Sequence, residues 1–567
     1  MKLISGLAAV ALAATTLVVA APAQAAETPA DRAVSAGSTW LKGQLTAGIL
    51  HNDEYDYDDL GLSADIAFAL DAVGGQDATV DQIAAAVGDD VTSWYDYGTI
   101  YTGSAAKAIA LMQVGGLDAT NVGGVDLQDV VEDNVATTSP IVGRVQNAGE
   151  TVYPSGEPTD TLNVISQSWA ARALGGQDSD LADEVMAFLL KQQCDDGSFR
   201  SALTKDKAAP ENQQGCAAGT AGEVDTTALT VLNILATPDA SVTAKGAALL
   251  AASWLKTQQA ADGSFSAGAL GVNSNTTGLA GWALAEAGQD AAATKAASWL
   301  RGVQVADIAP CATTLSADNG AIAYAPADLA TVRGAGSFSV PQRELTRRAS
   351  AQALPALANL PAGADVTVSA PASAVEKSTV TVTVAGLGAG EPACVSLGSE
   401  AKSVTGTGST VPVTFTLPAG AATRTFRVAT LTGSSTATTA ATATPATPTP
   451  TPVPGEPTVG DLDVAKVVKV GRKGIFKVEV ACDSTVDCTG KLKVRTVGKV
   501  VRPNGAKKVL VVAKSAYDVE AGETAKVVLR LTKPARAAVG TTRTRVVAVQ
   551  TADGADAVST KFWLRRK

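Results

Sequence analysis

The sequence predicts a multidomain chain, an all-α α6/α6 toroid followed by two all-β sandwich domains, and three observations carry that expectation. Apolar residues fall at helical spacing within Ala-rich runs from about residue 30 to 360, then alternate as strands do, as at Val380, Val382, Val384 and Val413, Phe415, Leu417. A two-part phrase recurs through the helical portion with a period near 50 residues. A proline-alternating stretch, Thr442 to Thr458, has no core of its own and reads as a semi-rigid spacer. The length of 567 residues suits about three domains at roughly 100–200 residues each. With 46% hydrophobic and 18% charged residues, the chain can bury a core, which excludes wholesale disorder.

Residues 1–25 read as a signal peptide. Lys2 gives a basic start, Leu3 to Ala21 is apolar, and Ala23-Gln24-Ala25 is a small-residue cleavage pattern. Beyond it, no uncharged apolar stretch approaches the roughly 20 residues that span a bilayer. The expectation is therefore a secreted protein, extracellular or cell-wall associated, without a transmembrane segment. That compartment permits disulfides. Cys482 and Cys488 are disulfide candidates across a short loop, and Cys194 and Cys216 flank a polar excursion between two helical segments. Cys311 and Cys394 either tether two domains or remain free buried thiols.

In residues 30–360 the first half of the phrase is an aromatic-Leu helix end, then Gln, then an acidic-Gly turn. It reads Phe188-Leu189 to Gln193 with Asp196-Gly197-Ser198-Phe199, and Trp254-Leu255 to Gln259 with Asp262-Gly263-Ser264-Phe265. Its opening returns at Trp299-Leu300 to Gln304, and more loosely at Trp40-Leu41 to Gln44. The second half is a polar turn opening a small-residue helix: Asp58–Gly74, Thr102–Gly115, Asn163–Gly175, Asp225–Leu235, Thr276–Gly288, and a divergent Arg347–Leu360. Six such pairs bury their faces only against neighbours; closed on themselves, they form a toroid with alternate helices inside.

The Phe/Trp-Leu-x3-Gln-x3-Gly-x-Phe phrase is similar to the repeat of squalene and oxidosqualene cyclases. Their α/α-toroid superfamily also holds protein prenyltransferase β subunits, complement thioester domains and cobalamin carriers. This chain departs from the family repeat in ending on Phe rather than Trp, and it keeps the basic-small start only at Lys295-Ala296. Residues 365–440 and 460–567, separated by the spacer at 441–458, both resemble the immunoglobulin-like modules of secreted proteins from high-GC Gram-positive bacteria; neither carries a catalytic motif.

The resemblance directs attention to two acids. Asp56-Tyr57-Asp58-Asp59 matches the Asp-x-Asp-Asp motif of class II terpene cyclases, with Asp58 at the place of the proton donor, but in the first repeat and without the Thr-Ala that should follow. Asp225 matches the motif by position, yet its flanks are Glu223 and Thr226. Its plainer reading is a helix N-cap, as for Asn275, Asn163 and Thr102. Cyclisation also needs aromatic faces to stabilise carbocations, and six aromatics are already spent on the phrase. The prenyltransferase zinc site of the family needs Asp, Cys and His together, and the single histidine, His51, lies near no cysteine in sequence or repeat position; no Cys-x-x-Cys pair suggests a zinc module either. Cys194, Cys216 and Cys311 have Gly197, Gly219 and Thr314 three residues on, where a thioester needs Gln. No cofactor and no metal are expected.

A second concentration of chemistry is Asp53, Asp56, Tyr57, Asp58 and Asp59, with Trp94, Tyr95, Asp96 and Tyr97. Rings stack on sugars, carboxylates accept their hydroxyls, and a carboxylate pair could hydrolyse a glycosidic bond. These segments should precede inner helices and lie on one face of the toroid. The functional expectation is a non-enzymatic protein that binds a glycan or small molecule at the toroid mouth. The alternative is an enzyme, either terpene cyclase/mutase-like or a toroid glycan hydrolase. Residues 459–567 hold 23 Lys and Arg against 10 Asp and Glu, a net +13 within a chain of net −10. Such a split suits an anionic cell-wall polymer at the C-terminal domain, although lysines on edge strands also discourage aggregation. No nucleic-acid partner is indicated.

Overall fold

The computed structural model describes residues 27–148, 162–177, 179–361, 366–444, 459–501, 505–553 and 555–567. The chain divides into two compact units, residues 1–444 and 445–567. The expected signal peptide at 1–25 lies outside the described residues, as does 445–458 of the spacer, whose first residues belong to the strand Gly433–Thr442.

Helices dominate the first unit as far as residue 357: α1 (Pro29–Lys42), α2 (Leu60–Val73), α3 (Asp77–Asp89), α4 (Val91–Tyr95), α5 (Thr102–Val114), α6 (Leu127–Glu132), α7 (Val164–Gly175), α8 (Ala182–Leu190), α9 (Val224–Ala236), α10 (Val242–Gln258), α11 (Ser274–Glu286), α12 (Asp290–Val303), α13 (Pro326–Ala335) and α14 (Val340–Leu357). They have two characters. Helix α11, SNTTGLAGWALAE, buries nine of its 13 residues, which suits a helix enclosed by others. Helix α12 buries one stripe, Ala292, Ala293, Ala296, Ala297, Leu300 and Val303, and exposes Lys295.

The enclosed helices pack in succession, α2 on α5, α5 on α7, α7 on α9, α9 on α11 and α11 on α14, and α14 packs on α2. Each has a more exposed companion: α3 lies on α2, α6 on α5, α8 on α7, α10 on α9, α12 on α11, and α1 on α14. Small residues permit the close approach. A Cβ on Gly278 of α11 would stand 2.4 Å from the Ala353 Cα of α14.

The repeated phrase is a staple between a turn and the next companion helix. The Gln193 amide nitrogen donates to the carbonyls of Gly197, 2.9 Å away, and Ala247 on α10, 2.8 Å away. Gln259 does the same for Gly263 and for Ala292 on α12. Gln304 donates to Gly320 and to Ala33 on α1, so the last staple holds the first helix. Asp196 and Asp262 accept from the backbone of Ser198 and Ser264, tightening the turns, and the following Phe199 and Phe265 are fully buried. The looser copy behaves differently. Gln44 donates to its own Trp40 carbonyl and accepts from Arg347.

The rest of the first unit is β-rich. A five-stranded sheet (Ser373–Val375, Gly433–Thr442, Thr423–Thr430, Pro392–Leu397, Glu400–Thr405) and a three-stranded one (Thr367–Ser369, Thr379–Ala385, Val411–Thr416) share a core in which Phe415 and Phe426 lie 5.5 Å apart. Cys311 is joined to Cys394 of this β region, so the two are not free thiols. Arg301, near the end of α12, donates to Glu391 and Thr432.

The second unit repeats the three-plus-five strand plan. Its three-stranded sheet is Asp461–Asp463, Ile475–Ala481 and Thr524–Arg530; its five-stranded sheet is Val467–Val470, Val558–Arg566, Thr544–Thr551, Cys488–Thr496 and Val511–Val519. Cys482 and Cys488 are bridged, as are Cys194 and Cys216. No helix among the described residues is long and apolar enough to cross a membrane.

Candidate functional site

The acidic segment folds as a small hairpin of Ile49–Asn52 and Tyr57–Asp58 that leads into α2, and most of its carboxylates are engaged locally. Asp53 accepts from Arg347 at 2.8 Å, which also pairs with Glu344. Asp58 lies 2.9 Å from His51 Nδ1, and Asp56 lies 3.3 Å from Nε2. The hydrogen bond to Asp58 raises the His51 pKa above its ordinary value. Asp59 caps α2 by accepting from the Leu62 backbone at 2.8 Å, and it also accepts from the Tyr57 hydroxyl. Trp94 stands beside the start of α2, against Gly61, with the Lys107 ammonium 5.9 Å from its ring. Tyr95 is buried, Asp96 accepts from the Gly98 backbone, and the exposed Tyr97 meets Tyr101 edge-on.

Asp225 does not cap α9. The cap position is Glu223, and Asp225 is the second residue of the helix. One of its carboxylate oxygens is buried without a hydrogen-bond partner, and burial pushes its pKa up, opposed by the neighbouring Thr276 hydroxyl. Among the supposed counterparts Asn163 is a true cap, whereas α11 is capped by Asn273 rather than Asn275 and Thr102 follows its cap position.

A different site lies among the enclosed helices. A cavity of about 350 Å³ receives a side chain from every one of them: Phe68 (α2), Lys107 (α5), Trp169 (α7), Leu232 (α9), Trp282 (α11) and Gln352 (α14). None of the acids and rings singled out in the sequence lines it. Phe68 and Trp169 stack with centroids 5.0 Å apart. The Arg172 guanidinium lies over both rings, 5.1 and 5.5 Å from their centroids. Burial lowers its pKa to about 10, with the Asp71 charge opposing. Lys107 is 2.5 Å from Asp65, donates to the Gly61 carbonyl, and sits 5.7 Å from the Trp169 ring. Asp71 and Glu286 are exposed, each in the last turn of its helix, and Glu286 accepts from the Trp282 indole at 3.1 Å. The sequence signal for this site was faint: Lys107 and Arg172 are the single charges of their helices, and Asp65 shares α2 only with Asp71, among mostly small and apolar residues.

No protein-family model matches the chain, and neither does any curated protein. Among solved structures it is similar to a protein from Actinoplanes, with 17% identity over 58% of this chain and 99% of that one and a TM-score of 0.38. It is also similar to the Escherichia coli alpha-2-macroglobulin activated by porcine elastase, with 10% identity over 36% of this chain, 22% of that chain and a TM-score of 0.13. For the Salmonella alpha-2-macroglobulin reacted with methylamine the identity is 9% over 35% of this chain and 16% of that chain, with a TM-score of 0.14. These are not terpenoid cyclases, and the resemblance to the cyclase family is corrected accordingly. The residues that carried it have a structural use: Gln ties the Gly turn to a helix and Phe is buried in the core.

Proposed function

We propose that α2, α5, α7, α9, α11 and α14 form the inner ring of an α6/α6 toroid, and that the protein is a secreted, non-enzymatic binding protein taking one small amphipathic molecule inside that ring. The supporting observation is the single cavity shared by all six enclosed helices, where stacked aromatic faces and leucines meet a few charged groups. Its volume lies at the lower end of the roughly 300–1,000 Å³ usual for ligand pockets, and an apolar wall with few polar groups is their usual lining. The acidic hairpin is a weaker candidate, because most of its carboxylates are already bonded within the chain.

Filling the cavity tests this reading. Leu232→Trp places an indole in the space at a cost of about 1–3 kcal/mol for overpacking. Small amphiphiles are expected to raise the Tm of the wild-type chain and to quench its tryptophan fluorescence, and the variant should show neither response. Ligand responses that survive in Leu232→Trp would place binding elsewhere.

The β modules serve, in this proposal, for spacing or cell-wall association. Lys493 and Lys514 stand directly opposite on neighbouring strands, as do Lys469 and Arg565, and all four are exposed. Like charges so placed repel, and a polyanion would relieve them. Residues 459–567 form their own core; expressed alone, they should sediment with purified anionic cell walls at low salt. Release is expected near 1 M salt, where the screening length falls to about 3 Å. Failure to sediment at low salt would remove this role.

A further inference from the structure

Within the cavity, one cation stands out by what it lacks. Arg172 makes no hydrogen bond or ion pair among the described residues, although its guanidinium lies within 5.5 Å of the Phe68 and Trp169 ring centroids. Lys107, by contrast, is matched by Asp65 and a backbone carbonyl. Asp71, the nearest acid by its influence on Arg172, is exposed and makes no direct pair with it; Glu286 is held by an indole. A guanidinium packed beside rings and without a protein partner has its donors available, and their fork matches the two oxygens of a carboxylate or phosphate. Desolvation at this place strengthens such a contact relative to water. Leu229, Leu232, Leu235 and Leu279 supply an apolar stretch of the wall, which Asn233, Gln352, Lys107 and the carboxylates of Asp65, Asp71 and Glu286 also line.

We propose that Arg172 is the anchor for an anionic amphiphile, a molecule with one carboxylate or phosphate monoester on an apolar body that lies along the leucine wall. This rests on the cavity being a ligand site, and it adds the charge and orientation of the ligand. The rings hold Arg172 in place and contribute packing; the guanidinium supplies selectivity for the head group.

The test measures affinities of the full chain for four ten-carbon probes below their micellar concentrations: decanoate, decyl phosphate, decanol and decylamine. At least one of the two anions is expected to bind tenfold or more tightly than decanol, and decylamine should bind no better than decanol. Decanoate ahead of decyl phosphate would identify the head group as a carboxylate, and the reverse order a phosphate. In Arg172→Met, which keeps an unbranched chain beside the rings but removes the charge and the donors, anion affinity should fall to that of the alcohol while alcohol affinity stays within twofold. Arg172→Lys should retain part of the preference, and the wild-type ratios alone decide the matter if Arg172→Met does not fold. Tightest binding of decylamine, or an anion-to-alcohol ratio near one in the wild type, overturns the assignment of Arg172 and leaves the cavity as a neutral or cationic site. Absence of binding by all four probes overturns both this assignment and the binding function it rests on.

Discussion

Replacing Gly320 by alanine is expected to destabilise the helical region by about 3 kcal/mol or more, because two effects coincide there. Gly320 has a φ of +97°, a region L side chains rarely adopt, and a Cβ would stand 2.2 Å from the Ala36 carbonyl oxygen of α1. Both partners are backbone, one in a turn and one in a helix, so neither can rotate aside. The same turn is stapled to α1 by Gln304, and the new methyl would push the two apart where the end of the helical region meets its beginning. Gly288→Ala is the control. Its φ is +69°, with nothing within 4 Å of the added carbon, so it should cost only the conformational penalty of roughly 1–2 kcal/mol. Denaturant unfolding of both variants separates backbone strain from the clash. Hydrogen exchange should show α1 losing protection first in Gly320→Ala. Equal losses in the two variants would mean that this turn does not hold α1.

Much of the helical organisation was legible because its signal is local. The expected helix Asp58–Gly74 became Leu60–Val73, and Thr102–Gly115 became Thr102–Val114, since runs of small residues ending at glycine encode both the close packing and the stop. The sixth helix was placed too late. It begins at Val340, where Ser339 and Gln342 form a capping box and Pro341 occupies the first turn, a start signal that the divergent phrase obscured. The role of the repeated Gln could not be read from the phrase, because its partner lies on the next companion helix, as Ala247 of α10 does for Gln193, 54 residues away. Without that contact, a packing device resembled a family signature.

The site was far less legible. Density of chemistry drew attention to Asp53 to Asp59, but carboxylates close in sequence are also close to backbone donors and to one another's partners. Asp59 is used as a cap, Asp53 is held by Arg347, and Asp56 and Asp58 flank His51. The cavity draws its residues singly from six helices, so Phe68, Trp169 and Trp282 are separated by about a hundred residues each and form no motif. Only a charge inside an enclosed helix marks such a place, since burying it unpaired is costly. Arg172 met that description; Asp65 and Lys107 are partly buried charges that pair with each other, and Asp225 met it outside the cavity.

The contact between α12 and the first β region carries the other large effect. The Arg301 and Glu391 side chains are 15% and 3% exposed, and Thr432 completes the contact. Burial lowers the Arg301 pKa and raises that of Glu391, so in both groups desolvation outweighs the attraction between them. Removing one partner is therefore worse than removing both. Arg301→Met should cost about 3–5 kcal/mol at neutral pH, because Glu391 is left charged and unpaired, while the double variant Arg301→Met, Glu391→Gln should recover most of the loss. The pH dependence has a definite sign. A carboxyl whose pKa is raised on folding binds more protons in the native state than in the unfolded one, so stability falls as pH rises from the ordinary glutamate value of 4.5 through the raised one. The penalty of Arg301→Met should thus shrink as the solution is acidified toward that value, since Glu391 then becomes neutral, and the double variant should show no such trend. Calorimetric unfolding across pH 4–8 reads both, with the Cys311–Cys394 bridge intact so that the β region stays tethered throughout. A penalty for Arg301→Met that grows on acidification would show that Glu391 is held as a carboxylate by partners other than Arg301.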